Sequence, residues 1–122
     1  MAQVRYIVDD VDEAVAFYVS KLGFELETQY GPAIAILVHG DLTLWVAGPV
    51  ASASKPMPDG TKPSPGGGWS RFVLTVEDLE SFVSKLKDDG VRFRNEILEG
   101  PGGKQILCVD PSGNVVELFQ PA

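Results

Sequence analysis

Apolar and polar residues alternate near the start of the chain and then change to a helical spacing. Residues 2–8 alternate, with Val4, Tyr6 and Val8 on one face and Gln3, Arg5 and Ile7 on the other. The apolar residues that follow recur every three or four positions, at Val11, Ala14, Val15, Tyr18 and Leu22. Asp10 can cap this helix and Gly23 can end it. Residues 24–30, 33–38 and 42–47 then have the composition of strands, so residues 1–47 predict a strand, a helix and three strands.

The same order of elements returns in residues 69–122. An alternating segment is followed by a helical spacing that begins after Asp78 and ends at Gly90, and then by three strands predicted at 91–97, 104–109 and 114–119. Val8–Asp12 aligns with Val76–Glu80 at a constant offset. The unit is therefore repeated, and the predicted class is α+β with two βαβββ units in one domain, 1–122.

A loop rich in proline and glycine separates the two predicted units. Residues 48–68 contain five of the nine prolines, together with Gly66, Gly67 and Gly68. Loops of this length are usually functional or mobile. A lid over a site and a plain connector are both compatible with the sequence.

The charge and composition exclude several classes of partner. The formal net charge is -7 and the isoelectric point is about 4.5, which disfavours nucleic acid and anionic membranes as partners. No segment has the length of a membrane span, so we expect a cytoplasmic protein. The single cysteine, Cys108, lies in an apolar run and is predicted to be buried packing.

A family resemblance is carried by segments in both halves: Val8–Val11, Phe17–Tyr18, Leu22–Phe24, Val76–Leu79, Asp110–Asn114 and Glu117–Leu118. In these segments the chain resembles the vicinal oxygen chelate superfamily. That superfamily includes glyoxalase I, extradiol dioxygenases, fosfomycin-resistance enzymes and bleomycin-resistance binding proteins. The resemblance implies a curved, cleft-containing mixed sheet with both helices on its convex face. It also implies a homodimer, and the sequence does not choose between units kept in one chain and units exchanged between two.

The resemblance further implies four metal-ligand positions, one on the first and one on the last strand of each half. In this chain they fall on Gln3, Arg71, Glu117 and Trp45, with Thr43 as the alternative to Trp45. Arginine is always protonated and cannot coordinate a cation. We therefore expect no family-type metal and no cofactor, and we expect Arg71 to pair with Glu117 instead. The only histidine, His39, is predicted to be a turn residue.

The residues predicted to contact a ligand lie on the faces that the helices leave uncovered: Gln3, Arg5, Trp45, Trp69, Arg71 and Glu117. The tryptophans could form a wall for a flat ligand or could simply pack, and Arg5 favours an anionic ligand. The first hypothesis is a metal-free protein that binds a small organic molecule. The alternatives are a glyoxalase-type lyase or isomerase, or a dioxygenase-like enzyme, with an atypical metal site; a metal-independent catalyst that uses Glu117; and a module that binds a partner through the long loop.

Overall fold

The computed structural model describes all residues from Met1 to Ala122. It contains two helices, nine strands and one short 3₁₀ turn at Ser52–Ser54. In chain order, the elements are β1 (Val4–Ile7), α1 (Val11–Ser20), β2 (Glu25–Tyr30), β3 (Ile34–His39), β4 (Leu42–Ala47), β5 (Phe72–Thr75), α2 (Leu79–Asp88), β6 (Arg92–Phe93), β7 (Leu98–Gly100), β8 (Gly103–Val109) and β9 (Val115–Pro121). The predicted α+β class is confirmed, and neither helix is long and apolar enough to span a membrane.

Unit 1 comprises Met1–Gly66 and Pro111–Asn114. Its sheet has the order β1-β4-β3-β2, with β1 parallel to β4 and the other pairs antiparallel. Helix α1 begins where the Asp10 carboxylate accepts a hydrogen bond from the Glu13 amide at 2.9 Å. It packs on the sheet through the buried side chains of Val11, Ala14, Phe17 and Tyr18.

Unit 2 comprises Gly67–Asp110 and Val115–Ala122. Its sheet has the order β5-β9-β8-β6, and β7 also pairs with β8. Strands β5 and β9 are parallel, as β1 and β4 are in unit 1. Asp78 caps α2, and the buried side chains of the helix are Leu79, Val83 and Leu86.

The strand predicted at 91–97 is interrupted, because a side chain replaces a backbone group in the ladder. Strand β6 covers only Arg92 and Phe93, and pairing resumes in β7. Between them, the Asn95 Oδ1 atom accepts a hydrogen bond from the Leu107 amide at 3.0 Å. Asparagine side chains compete in this way with regular backbone pairing. The periodicity of the segment does not reveal it.

The turn between β8 and β9 packs with unit 1 rather than with the strands it joins. We call residues 111–114 the returning turn. Asn114 donates to the Ile7 carbonyl at 2.8 Å and accepts from the Gly66 amide at 2.8 Å. Ser112 Oγ accepts from the Asp9 amide at 2.9 Å. Three backbone groups far away in sequence are therefore satisfied by two side chains of one short turn.

The long loop is tied to unit 1 where it starts. Ser54 is buried, and its hydroxyl donates to the Gly48 carbonyl at 2.8 Å. A Cβ atom at position 48 would lie 2.6 Å from the Pro32 carbonyl oxygen, so only glycine fits this close approach. Further along, the loop covers a cavity of about 210 Å³ whose lining includes Ile7, Lys62 and Pro63.

The Cys108 thiol is fully buried, as predicted, and burial raises its pKa to about 12 from an ordinary value of 9.0. Above about pH 9 the unfolded chain loses this proton while the folded chain keeps it. The contribution of the protonated thiol to stability is therefore complete below pH 9 and falls toward pH 12, by up to about 1.4 kcal/mol per pH unit. Urea unfolding at about pH 8 and about pH 10.5 should show the stability gap between the wild type and Cys108→Ala narrowing as pH rises. A gap that stays constant would contradict this expectation.

Candidate functional site

Glu117 lies on the face of the unit 2 sheet that α2 does not cover, which we call the unit 2 helix-free face. Its neighbours Val116 and Leu118 are fully buried on the helix side. Because side chains alternate along a strand, Glu117 points to the opposite face. The residue is nevertheless only 8% exposed. A buried carboxylate requires partners that compensate its charge.

Arg71 provides the main compensation, through the ion pair expected from the sequence. Its Nε and Nη2 atoms donate to the Glu117 Oε1 atom at 3.0 and 2.8 Å. The Arg71 side chain is 28% exposed and the Glu117 side chain is 10% exposed. The third guanidinium nitrogen, Nη1, donates to the Trp69 carbonyl at 3.0 Å. All three nitrogens of Arg71 are therefore engaged within unit 2.

Gln105 completes the surroundings of the carboxylate. Its side chain faces Glu117 from the neighbouring strand β8. With the amide nitrogen turned toward the carboxylate, it donates to the two oxygens at 3.0 and 3.3 Å. The sequence reasoning missed Gln105. The signal was present, because alternation against the buried residues Ile106 and Cys108 puts Gln105 on the same face as Glu117.

Trp69 is held at the edge of this group by a second arginine. The Arg94 guanidinium lies 5.0 Å from the centroid of the indole ring, in a cation–π contact. Its Nη1 atom also donates to the Gly68 carbonyl at 2.8 Å. Trp69 itself is 72% exposed. Arg71 and Arg94 thus hold two consecutive carbonyls, of Trp69 and Gly68.

In unit 1 the structure brings Arg5 and Trp45 together. They are partners in the register of β1 and β4, and the Arg5 guanidinium lies 5.0 Å from the centroid of the Trp45 ring. Leu44 and Val46 are fully buried against the helix side, so Trp45 belongs to the face not covered by α1, the unit 1 helix-free face. The Trp45 Nε1 atom is buried and has no hydrogen-bond partner.

The strand registers identify which positions of the two units are equivalent. Arg5 pairs with Trp45 in unit 1, and Val73 pairs with Glu117 in unit 2. The offset that relates Arg5 to Val73 is the one that relates Gln3 to Arg71. Trp45 rather than Thr43 therefore corresponds to Glu117. Gln3 is exposed and directly precedes β1.

The residues at these positions do not fit a metal site of the kind that the resemblance implies. The nitrogen atoms of Arg71 and Trp45 are donors without an available lone pair, and the Glu117 carboxylate already accepts from Arg71. Across residues 1–122 there is no group of three or more His, Cys, Asp or Glu side chains that could hold a metal ion. Of the four positions, only Gln3 in unit 1 and Glu117 in unit 2 carry a group that can coordinate a cation, so each unit supplies one such ligand, which is too few for a metal site.

Comparison with known proteins places these features in context. The family model described as the Glyoxalase/Bleomycin resistance protein/Dioxygenase superfamily matches residues 1–118. A protein of Shewanella frigidimarina (strain NCIMB 400) is 28% identical, with 98% of this chain and 92% of that protein covered.

Two solved structures illustrate the structural likeness. A lactoylglutathione lyase from Agrobacterium tumefaciens has a TM-score of 0.75 at 21% identity, with 98% of this chain and 92% of that chain covered. TnmS3, an antibiotic binding protein from Streptomyces sp. CB03234, has a TM-score of 0.69 at 25% identity, with 100% of this chain and 98% of that chain covered. The likeness to the lyase shows a shared fold.

Proposed function

This chain belongs to the Glyoxalase/Bleomycin resistance protein/Dioxygenase superfamily, and we propose that it is a binding protein that holds a small organic molecule on a helix-free face without a family-type metal. The observation that carries the proposal is the ion pair between Arg71 and Glu117. It occupies the two positions at which the resemblance implies metal ligands in the second half of the chain.

The ion pair disfavours a cation at Glu117 for an electrostatic reason. A metal ion bound there would lie beside the Arg71 guanidinium, which donates to the Glu117 Oε1 atom at 2.8 Å. Two positive charges at such separations repel strongly in a partly buried setting. Metal binding would also require the carboxylate to exchange hydrogen bonds from Arg71 for coordination.

The chemistry of the two helix-free faces supports an organic ligand. The unit 1 helix-free face combines the Trp45 ring with half-buried aliphatic side chains, among them Ile36 and Val38. In unit 2, considered by itself, the ring of Trp69 is exposed. Binding sites for small molecules are typically apolar and aromatic, with few polar groups that fix orientation. The likeness to an antibiotic binding protein supports the same function class.

A metal-independent enzyme that uses Glu117 as a base is less well supported. A general base must have a lone pair that can reach the substrate proton. The Oε1 atom of Glu117 accepts two hydrogen bonds from Arg71, and Gln105 faces the carboxylate from the next strand. We assign Glu117 to holding the shape and polarity of the unit 2 helix-free face. The homodimer, the cytoplasmic location and the single functional domain remain predictions.

Metal analysis and ligand binding together test the proposal. Purified protein incubated with Zn²⁺, Ni²⁺, Mn²⁺ or Fe²⁺ and then desalted is expected to retain far less than one ion per chain. A thermal-shift panel of aromatic and carboxylate-bearing small molecules should show stabilisation that EDTA does not change. Stoichiometric metal that is lost in Glu117→Ala but retained in Glu96→Ala, whose carboxylate is highly exposed, would overturn the metal-free assignment. Absence of stabilisation by any ligand class would count against binding.

A further inference from the structure

The indole N–H of Trp45 is a buried donor that the protein itself does not satisfy. Buried tryptophan N–H groups usually have a hydrogen-bond partner, because leaving one unpaired costs the hydrogen bond it would make in water. The register of β1 and β4 pairs Trp45 with Arg5, whose guanidinium lies over the ring. An unpaired donor of this kind indicates an acceptor that comes from outside the chain.

Arg5 adds a positive charge next to the same ring. Its guanidinium rests on the face of the indole at 5.0 Å from the ring centroid, and the residue is exposed. None of the three salt bridges described, Arg71–Glu117, Lys87–Glu96 and Lys104–Glu80, involves Arg5. A flexible exposed side chain can move off the ring to meet an anion. Arg5 and Trp45 therefore place one cationic group beside one N–H donor, which is buried while Arg5 lies on the ring.

Aliphatic side chains lie next to the Trp45 ring on the unit 1 helix-free face. Ile36 is the register partner of Trp45 on β3, and Ile34 and Val38 lie on the same face. All three side chains are half-buried. These side chains suit the hydrocarbon part of a ligand. Thr28 and Thr43, the register partners of Ile36 and Val38, add hydroxyl groups to the same face. Arg5 is the only arginine or lysine in the four strands of this sheet, so an anion with more than one charge would be poorly compensated here.

We propose that Arg5 and the Trp45 indole N–H bind the carboxylate of a small organic acid whose apolar part lies on Ile36 and its neighbours. The inference rests on the proposed binding function and specifies the chemical class of the ligand. The carboxylate takes a charge-assisted hydrogen bond from the guanidinium and one from Nε1, one for each oxygen. A monoanion matches the single cation.

Matched probes test the charge requirement. 2-Naphthoate and 2-naphthamide have the same ring system and differ in charge. By isothermal titration calorimetry, we expect the acid to bind at least about tenfold more tightly than the amide. Trp45→Phe keeps an aromatic ring and removes the N–H, so it should lower the affinity for 2-naphthoate by about tenfold. Arg5→Met should abolish the preference for the acid, whereas Lys55→Met, which removes an exposed cation elsewhere in unit 1, should retain it.

A second measurement uses the native Trp45 and does not depend on how that variant folds. The chain has two tryptophans, so the indole N–H signals in a ¹⁵N–¹H spectrum can be assigned by comparison with Trp69→Phe. Addition of 2-naphthoate should move the Trp45 signal downfield, and 2-naphthamide should move it less. An unmoved Trp45 signal at saturating 2-naphthoate, or equal affinity for the two probes, overturns the inference.

The failure of this inference is distinguishable from the failure of the proposed function. If neutral aromatic molecules bind without metal and Arg5→Met changes nothing, the binding function stands and the acid subsite is wrong. If no ligand class binds and stoichiometric metal is found at Glu117, the proposed function itself is wrong.

Discussion

Replacing Asn114 with alanine is expected to lower the free energy of unfolding by about 2–4 kcal/mol. Both ends of the Asn114 carboxamide bond to backbone, with the Nδ2 atom donating to the Ile7 carbonyl and the Oδ1 atom accepting from the Gly66 amide. The residue is only 8% exposed, so alanine would leave two backbone groups without partners in a region with little access to water. Urea unfolding monitored by circular dichroism measures the loss.

Asn95→Ala is a matched control for this experiment. Asn95 accepts a single backbone hydrogen bond, from the Leu107 amide, at a less buried position. We expect this variant to lose about 1 kcal/mol. Asn114→Asp should lose at least as much as Asn114→Ala, because it keeps the acceptor for Gly66 but points a buried carboxylate oxygen at the Ile7 carbonyl. A smaller loss for Asn114→Ala than for Asn95→Ala would show that the returning turn does not stabilise unit 1.

The second large effect is expected at the ion pair of Arg71 and Glu117. Glu117→Ala would leave the guanidinium, whose side chain is 28% exposed, without its carboxylate. We expect a loss of about 2–3 kcal/mol, below the range for fully buried pairs because water still screens Arg71. Thermal or urea unfolding of Glu117→Ala, Arg71→Met and the double variant measures how much of this loss is shared between the two residues.

The coupling energy from this double-mutant cycle is expected to be about 1–2 kcal/mol. Lys87 and Glu96 supply an exposed control pair in the same unit, with side chains 47% and 89% exposed and an N–O distance of 3.4 Å. Their coupling should be no more than about 0.5 kcal/mol. If the two pairs couple equally, the Arg71–Glu117 contact is not a strong organising interaction of the unit 2 helix-free face.

Residue alternation and the family resemblance together predicted which residues lie on the helix-free faces. Alternation put Trp45 on a helix-free face, because its neighbours Leu44 and Val46 are apolar, and both are fully buried. The family resemblance located Glu117, whose neighbours Val116 and Leu118 are also fully buried. The repeat placed Arg71 at the position from which it reaches Glu117. Alternation is a local property of a strand, so these assignments require no knowledge of distant contacts.

Other features depended on contacts that local patterns do not encode. The break at Asn95 arises because one side chain replaces a backbone carbonyl of the ladder. The stacking of Arg94 on Trp69 joins two segments far apart in sequence. The unpaired N–H of Trp45 is visible only when every nearby acceptor has been placed. Such features require coordinates because a residue's type does not reveal its partners.

The returning turn also constrains the order in which the chain can fold as it is synthesised. Asn114 forms hydrogen bonds with the backbone of Ile7 and Gly66. It nevertheless leaves the ribosome only after β5, α2, β6, β7 and β8. Domains of a nascent chain generally fold from the amino terminus onward. Unit 1 cannot follow that rule to completion, because its last backbone partners are translated after most of unit 2. The half of the protein that is made first is therefore among the last parts to be finished.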